Sequence, residues 1–100
     1  MDNKLEIKNC KEYLKTILKD GDTLYTNVQH VSQSGMTRDI KVIRIKDNIP
    51  LNMNYYVSTI LGNRITNNGV RIGGCGMDMG FALVNNLSRA IGIELKQEWI

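Results

Sequence analysis

Arg64-Ile65-Thr66-Asn67-Asn68-Gly69-Val70-Arg71-Ile72 is the stretch whose reading decides the fold. Asn-Gly between two short runs with β-branched residues signals a hairpin, because both residues accept positive φ. It predicts strands over 64–66 and 70–72. Downstream, Gly73-Gly74-Cys75-Gly76 leads into a helix predicted over 77–91. Gly80, Leu83, Val84, Leu87 and Ile91 form its inner face, and Gly92 stops it. The tail over 93–100 alternates enough for a last strand.

Upstream of the hairpin, 51–61 carries apolar residues three and four apart. Pro50 fits the first position of that helix, and Gly62 closes it. Strands are predicted over 23–31, from Tyr25, Thr26, Val28 and Val31, and over 38–46, from Ile40, Val42, Ile43 and Ile45. Their connection, Ser32-Gln33-Ser34-Gly35-Met36-Thr37, is too long for a two-residue turn and reads as an ordered hairpin loop. A first helix is predicted over 9–20, with Cys10, Tyr13, Leu14, Ile17 and Leu18 on one apolar face. Asn9 and Glu12 are placed as its cap, and Gly21 as its stop. Lys11, Lys15 and Lys19 fall on the outer, solvated face. The order α-β-β-α-β-β-α-β predicts an α+β fold. It is a small, mostly antiparallel sheet packed against two or three helices in a single domain over 1–100.

Composition narrows the function classes. The chain has 100 residues, 42% of them hydrophobic, and a net charge of +3. One core fits this length, and about two-thirds of the unfolded surface is buried in a domain this small, so self-association would help it. The charge favours anionic partners mildly. No apolar run approaches the roughly 18 residues of a membrane span. The polar stretch from Met1 to Asn9 has no apolar core of a secretory leader, so a cytoplasmic protein is expected. Cys10 and Cys75 are read as free thiols. With His30 the one histidine and no CxxC, neither a metal site nor a cofactor is expected.

Two segments carry chemistry. His30-Val31-Ser32-Gln33-Ser34-Gly35-Met36-Thr37-Arg38 brings hydroxyls, a glycine and an arginine together. Hydroxyls and loop N–H groups donate to anionic oxygens, and Arg grips phosphate through a planar fork. The plainer reading is a loop whose Ser and Thr satisfy its own backbone. Gly73-Gly74-Cys75-Gly76-Met77-Asp78-Met79-Gly80-Phe81 feeds a glycine-rich turn into a helix N-terminus, a geometry that can hold phosphate. It lacks the GK[ST] of a Walker A loop, and Asp78 would cap the free N–H groups itself. Close helix–strand packing is the plainer reading here. Met77, Met79 and Phe81 read as core or interface residues. If the strands pair as predicted, the hairpin loop and the helix start could approach each other.

The pair HVSQSGMTR and GGCGMDMGF, followed by VNNLSRAI, resembles a group of short proteins encoded by bacteriophages and prophages. Its members share HVS-x-SGM-[ST]-R and GGCGMDMGF elements at similar spacing, and the resemblance covers roughly 22–91. Residues 30, 32, 34, 35, 36 and 38, with 73–81, match the shared elements. Gln33 stands where many relatives have a basic residue, which weakens any role for it in charging a ligand. The resemblance implies a phage accessory protein acting in the host bacterial cytoplasm, and it brings no assigned activity.

Three readings follow. The first is a module that binds a small phosphorylated or nucleotide-type ligand without turnover. By analogy of context and size, it would act like the phage sponges that capture nucleotide signals of bacterial immunity. Its ligand contacts would be His30, Ser32, Ser34, Gly35, Thr37, Arg38, Arg71, Gly73, Gly74, Cys75 and Gly76. Arg64 lies nearby in sequence, and Tyr25, Tyr55 or Tyr56 could stack on a base. The pocket is expected between subunits of a homo-oligomer. The second is a module that binds and inhibits a host protein. The third, ranked last, is a small enzyme with Cys75 as nucleophile, His30 as base and Asp78 as orienter. Scattered basic residues argue against nucleic acid. Trp99 reads as a lid on the core rather than an exposed anchor.

Overall fold

The computed structural model describes residues 3–44, 50–73 and 79–100. Its elements follow the predicted order: α1 (Asn3–Ile17), β1 (Asp22–Val31), β2 (Thr37–Arg44), α2 (Pro50–Leu61), β3 (Arg64–Thr66), β4 (Gly69–Gly73), α3 (Met79–Ile91) and β5 (Leu95–Trp99). The strands form one sheet in the order β3-β4-β2-β1-β5. Three neighbouring pairs are antiparallel. β5 returns to β1 after α3 and runs parallel to it, which makes it the far edge.

Strand alternation sorts the sheet into two faces. Leu24, Thr26, Ile40, Val42 and Val70 are buried on one side, where the helices lie. They meet Leu14 and Leu18 beside α1, Met53 and Val57 of α2, and Leu83, Val84, Leu87 and Ile91 of α3. Full burial of side chains such as these stabilises by about 1.5–3 kcal/mol each. The inner face predicted for α3 is buried at every position named. The other side of the sheet carries Tyr25, Asn27, Lys41, Ile43 and the charged residues described below.

The first helix departs from expectation. It spans Asn3–Ile17 rather than 9–20, and Asn9 is an exposed mid-helix residue, not a cap. Lys4, Leu5, Glu6 and Lys8 are good helix formers, and they extend the helix toward the N-terminus. The Tyr55 hydroxyl of α2 donates to Glu6 in the first turn. At the other end, Asp22 accepts from the Lys19 N–H at 2.9 Å and turns the chain into β1.

The Asn-Gly hairpin forms with one difference. Thr66 pairs with Gly69, so Asn67-Asn68 is the two-residue loop and Gly69 already belongs to β4. Trp99 also departs from its expected place: it is 46% exposed. It lies at the end of an edge strand, with its ring tip against Gly80 of α3, so only part of the ring is covered.

β4 pairs with β2 only as far as Ile40. Past that point Asn54, buried on α2, accepts the Val42 N–H at 2.7 Å. Asn54→Ala strands this buried donor and is expected to cost about 1–3 kcal/mol. Thermal denaturation checks it, at roughly 4–8 °C of midpoint per kcal/mol for a domain this size.

Candidate functional site

β1 and β2 pair in step from Leu24 opposite Arg44 to Val28 opposite Ile40, and then the register slips. Gln29 is the extra residue of a β-bulge, and His30 falls opposite Asp39. By simple alternation His30 would share the face of Val28, over the core. The bulge turns it to the open face instead.

From there one row crosses four strands. Asp39 pairs with Arg71 of β4, and Arg71 pairs with Arg64 of β3. Paired residues project to the same side, so His30, Asp39, Arg71 and Arg64 share the open face. The Asp39 side chain is 1% exposed and those of Arg71 and His30 are 33% and 50% exposed. The Arg71 Nε donates to Asp39 Oδ1 at 2.9 Å, and Nη2 donates to Oδ2 at 3.2 Å. His30 Nδ1 stands 3.7 Å from Oδ2, within ion-pair range and outside hydrogen-bond range.

The Arg71 hydrogen bonds hold the Asp39 carboxyl below the usual carboxylate range, against the opposing effect of burial. Thr66 and Asn68 side chains lower it further. The same pairing raises Arg71 above its ordinary value. Asp39 is thus a fixed anion and Arg71 a fixed cation. Two of the five guanidinium donors are committed to Asp39, and three remain.

The two motif elements meet beside the middle of this row. Thr37 pairs with Gly73, so the base of the SGMTR loop lies beside the start of the glycine-rich segment within a single chain. The serines of the loop are engaged locally. Ser32 Oγ accepts from the N–H groups of Met36 and Thr37, each at 3.2 Å, and lies 3.3 Å from Ser34 Oγ. Ser34 Oγ also accepts from Met36 N–H at 3.4 Å. The Gly35 N–H donates to the Ser32 carbonyl, and Gly35 holds φ at +73° to close the loop. Arg38 pairs with Val31 and Ile72 and so projects to the helix side, away from the row.

Of the residues singled out in the sequence, His30, Thr37, Arg71 and Gly73 therefore come together. Ser32, Ser34 and Gly35 build the adjoining loop, and Arg38 faces the other way. Gly74, Cys75, Gly76, Met77 and Asp78 lie outside the described residues. The acid that faces His30 is Asp39, which sequence reasoning missed. Its signal was the break in an otherwise apolar and basic strand. Among the tyrosines, Tyr25 is on the open face. Tyr55 and Tyr56 sit on α2, where their rings lie 5.4 Å apart and Tyr56 also meets Tyr13 at 4.8 Å.

Cys10 is a free, buried thiol. Burial first, then the charge of Glu6, pushes its pKa up, so it is a poor nucleophile near neutral pH. Among the described residues no group of three or more His, Cys, Asp or Glu side chains could hold a metal. No described helix is long and apolar enough to cross a membrane. A shallow groove along α1 is lined by Lys4, Lys8, Lys11 and Lys15 together with Ile7 and Glu12, a second mainly basic surface remote in sequence from the motif elements. Comparison of the chain with protein-family models, curated proteins and solved structures gives no match.

Proposed function

We propose that the chain is a binding module that captures a small phosphorylated ligand of nucleotide type on the open face of its sheet, without turnover. The cross-strand pair of Arg64 and Arg71 carries this reading. Like charges directly opposite each other destabilise a sheet. Asp39 neutralises one arginine, and Arg64 remains exposed beside it. A phosphate between the two would relieve the repulsion and use the free guanidinium donors. Thr37 and Gly73 adjoin the row, and Tyr25 offers a ring on the same face. Binding rather than catalysis is supported by the state of Asp39, whose bidentate pairing keeps it ionised and unsuited to proton transfer. The resemblance to phage accessory proteins suggests the setting, because sequestering a host nucleotide signal requires no catalytic group.

The test is thermal denaturation against cyclic di- and trinucleotides, ADP-ribose derivatives and inorganic phosphate. A ligand at 100 times its dissociation constant adds about 2.7 kcal/mol. That raises the midpoint by roughly 10 °C or more. Arg64→Ala is expected to abolish the shift without lowering the unliganded midpoint, since it also removes the like-charge repulsion with Arg71. Arg38→Ala, on the helix side, and Lys8→Ala with Lys15→Ala, on α1, are expected to retain it. Intact ligand recovered by mass spectrometry supports capture, and a product supports the enzyme reading. A flat panel overturns the proposal and favours a host-protein partner, sought by pull-down.

A further inference from the structure

We infer that β5 is a self-complementary edge through which two copies of this chain pair antiparallel, joining their sheets into one. The inference is independent of the ligand reading and rests on three observations.

The first is which backbone groups the edge presents. The Ile100 N–H donates to the Thr26 carbonyl, and the Glu94 carbonyl accepts from Gly21 N–H. Even-numbered residues therefore turn their backbone groups toward β1. In a parallel ladder the alternate residues turn theirs to the opposite side. The outward groups belong to Leu95, Gln97 and Trp99, and no described strand lies beyond them; the Leu95 N–H donates to Ser88 Oγ at 3.3 Å, which leaves the Leu95 carbonyl and both groups of Gln97 and Trp99 for a partner. An edge of this kind is a template for another strand.

The second is the sequence of that edge, Leu95-Lys96-Gln97-Glu98-Trp99. A two-fold axis through Gln97 sets Gln97 against itself as a hydrogen-bonded pair, and Leu95 against Trp99 with the Leu95 carbonyl placed to accept the Trp99 N–H while its own N–H stays with Ser88. It also sets Lys96 opposite Glu98 twice. These two pairs fall at non-hydrogen-bonded positions, where the strands bring side chains closest. Lys96 and Glu98 are both exposed, and among the described residues neither has an ion-pair partner in its own chain. No neighbouring register gives both the backbone alignment and the charge match.

The third is the apolar surface at the end of the strand. Trp99 is 46% exposed and Ile100 63%, and Phe81, next to the Gly80 that Trp99 covers, is 56% exposed. Pairing places each Trp99 across from the other copy's Leu95 and shields surface that one chain leaves in water. The contact is isologous, so it closes at two copies. The other edge, β3, has only three residues and carries the exposed Arg64. Because the axis stands perpendicular to the sheet, both His30–Arg64 rows end on the same side of the joined sheet.

Sedimentation velocity with circular dichroism tests this. The wild-type chain is expected to sediment at twice its 11.3 kDa mass. Lys96→Glu and Glu98→Lys each set like charges opposite each other, and each is expected to weaken the dimer by about tenfold or more with an unchanged spectrum. The double exchange, Lys96→Glu with Glu98→Lys, is expected to restore wild-type association. Mixing the two single variants is expected to give a heterodimer tighter than either homodimer. A wild-type monomer at the highest soluble concentration overturns the inference. So do single variants that dimerise as tightly as wild type, or a mixture with no preference for the heterodimer.

Discussion

Gly69→Ala is expected to lower the melting midpoint by more than about 12 °C, a loss of about 3–5 kcal/mol. Two costs act at once. The residue holds φ at +136°, where an L side chain is strained. A Cβ there would stand 2.3 Å from the Ile40 carbonyl oxygen, 2.6 Å from its carbon and 2.9 Å from the Lys41 nitrogen. All three are backbone atoms of the central strand, so relief requires β2 and β4 to part. Their separation would disturb the ladder that aligns Asp39 with Arg71. Native domains have only about 5–15 kcal/mol in total, so this variant approaches the limit of folding. Gly73→Ala is the contrast at the other end of β4. Among the described residues nothing lies within 4 Å of its added Cβ, and its φ is not in the left-handed region. Its midpoint is expected to match wild type, and any loss of ligand response would then report on the site alone. A Gly69→Ala protein that melts like wild type would show that β4 can back away from β2 freely.

The two glycines also mark how far the sequence is legible. Helical periodicity and turn chemistry are local, so α2 was placed between Pro50 and Gly62 and the inner face of α3 was named residue by residue. Asn-Gly signals the hairpin, and Gly69 does hold a positive φ, but its second constraint is not local. The decisive contact is with Ile40, 29 positions away in the chain, and no local pattern reports such an approach. The first helix was started too late because a plausible cap at Asn9 hid helix formers before it. The site shows the same division. His30, Arg71, Thr37 and Gly73 stand out in the sequence as glycines, hydroxyls and charges against an apolar background, and the sheet brings them together. Their grouping was not legible. It depends on a one-residue bulge at Gln29 that shifts His30 across the sheet, whereas unbroken alternation would place it with Val28 on the core side. Asp39 was missed because a lone carboxylate in a strand reads as a surface residue, until its neighbours show it 1% exposed. Arg38 was carried along by its adjacency to Thr37, although successive strand residues face opposite ways.

Arg71→Ala is expected to lower the midpoint by about 10 °C or more at neutral pH, and to lose most of that deficit in acid. Removing one partner of a buried ion pair costs far more than the pair itself contributes, because the other charge is left without compensation. Here the stranded group is Asp39, buried between His30 and Arg71, with His30 at 3.7 Å too distant to replace two hydrogen bonds. The pH dependence follows from the direction of the shift. Asp39 titrates below its ordinary value of about 3.9 in the folded protein, so its contribution is complete above that value. It is lost as pH falls through the lower, folded value. Without Arg71 the main cause of the depression is gone, and burial is opposed only by the Thr66 and Asn68 side chains. Protonation then relieves the variant first, and wild type and Arg71→Ala converge only as pH falls through the lowered, folded value of Asp39. Asp39→Asn, which removes the charge and keeps the shape, is expected to flatten the acid limb of the wild-type profile. Asp39→Asn combined with Arg71→Ala is expected to be more stable at neutral pH than Arg71→Ala alone, because no buried charge is left unpaired. Melting curves of the four proteins across this pH range decide the matter. A deficit in Arg71→Ala that stays constant from neutral pH to acid would place its origin in lost packing of the arginine stem.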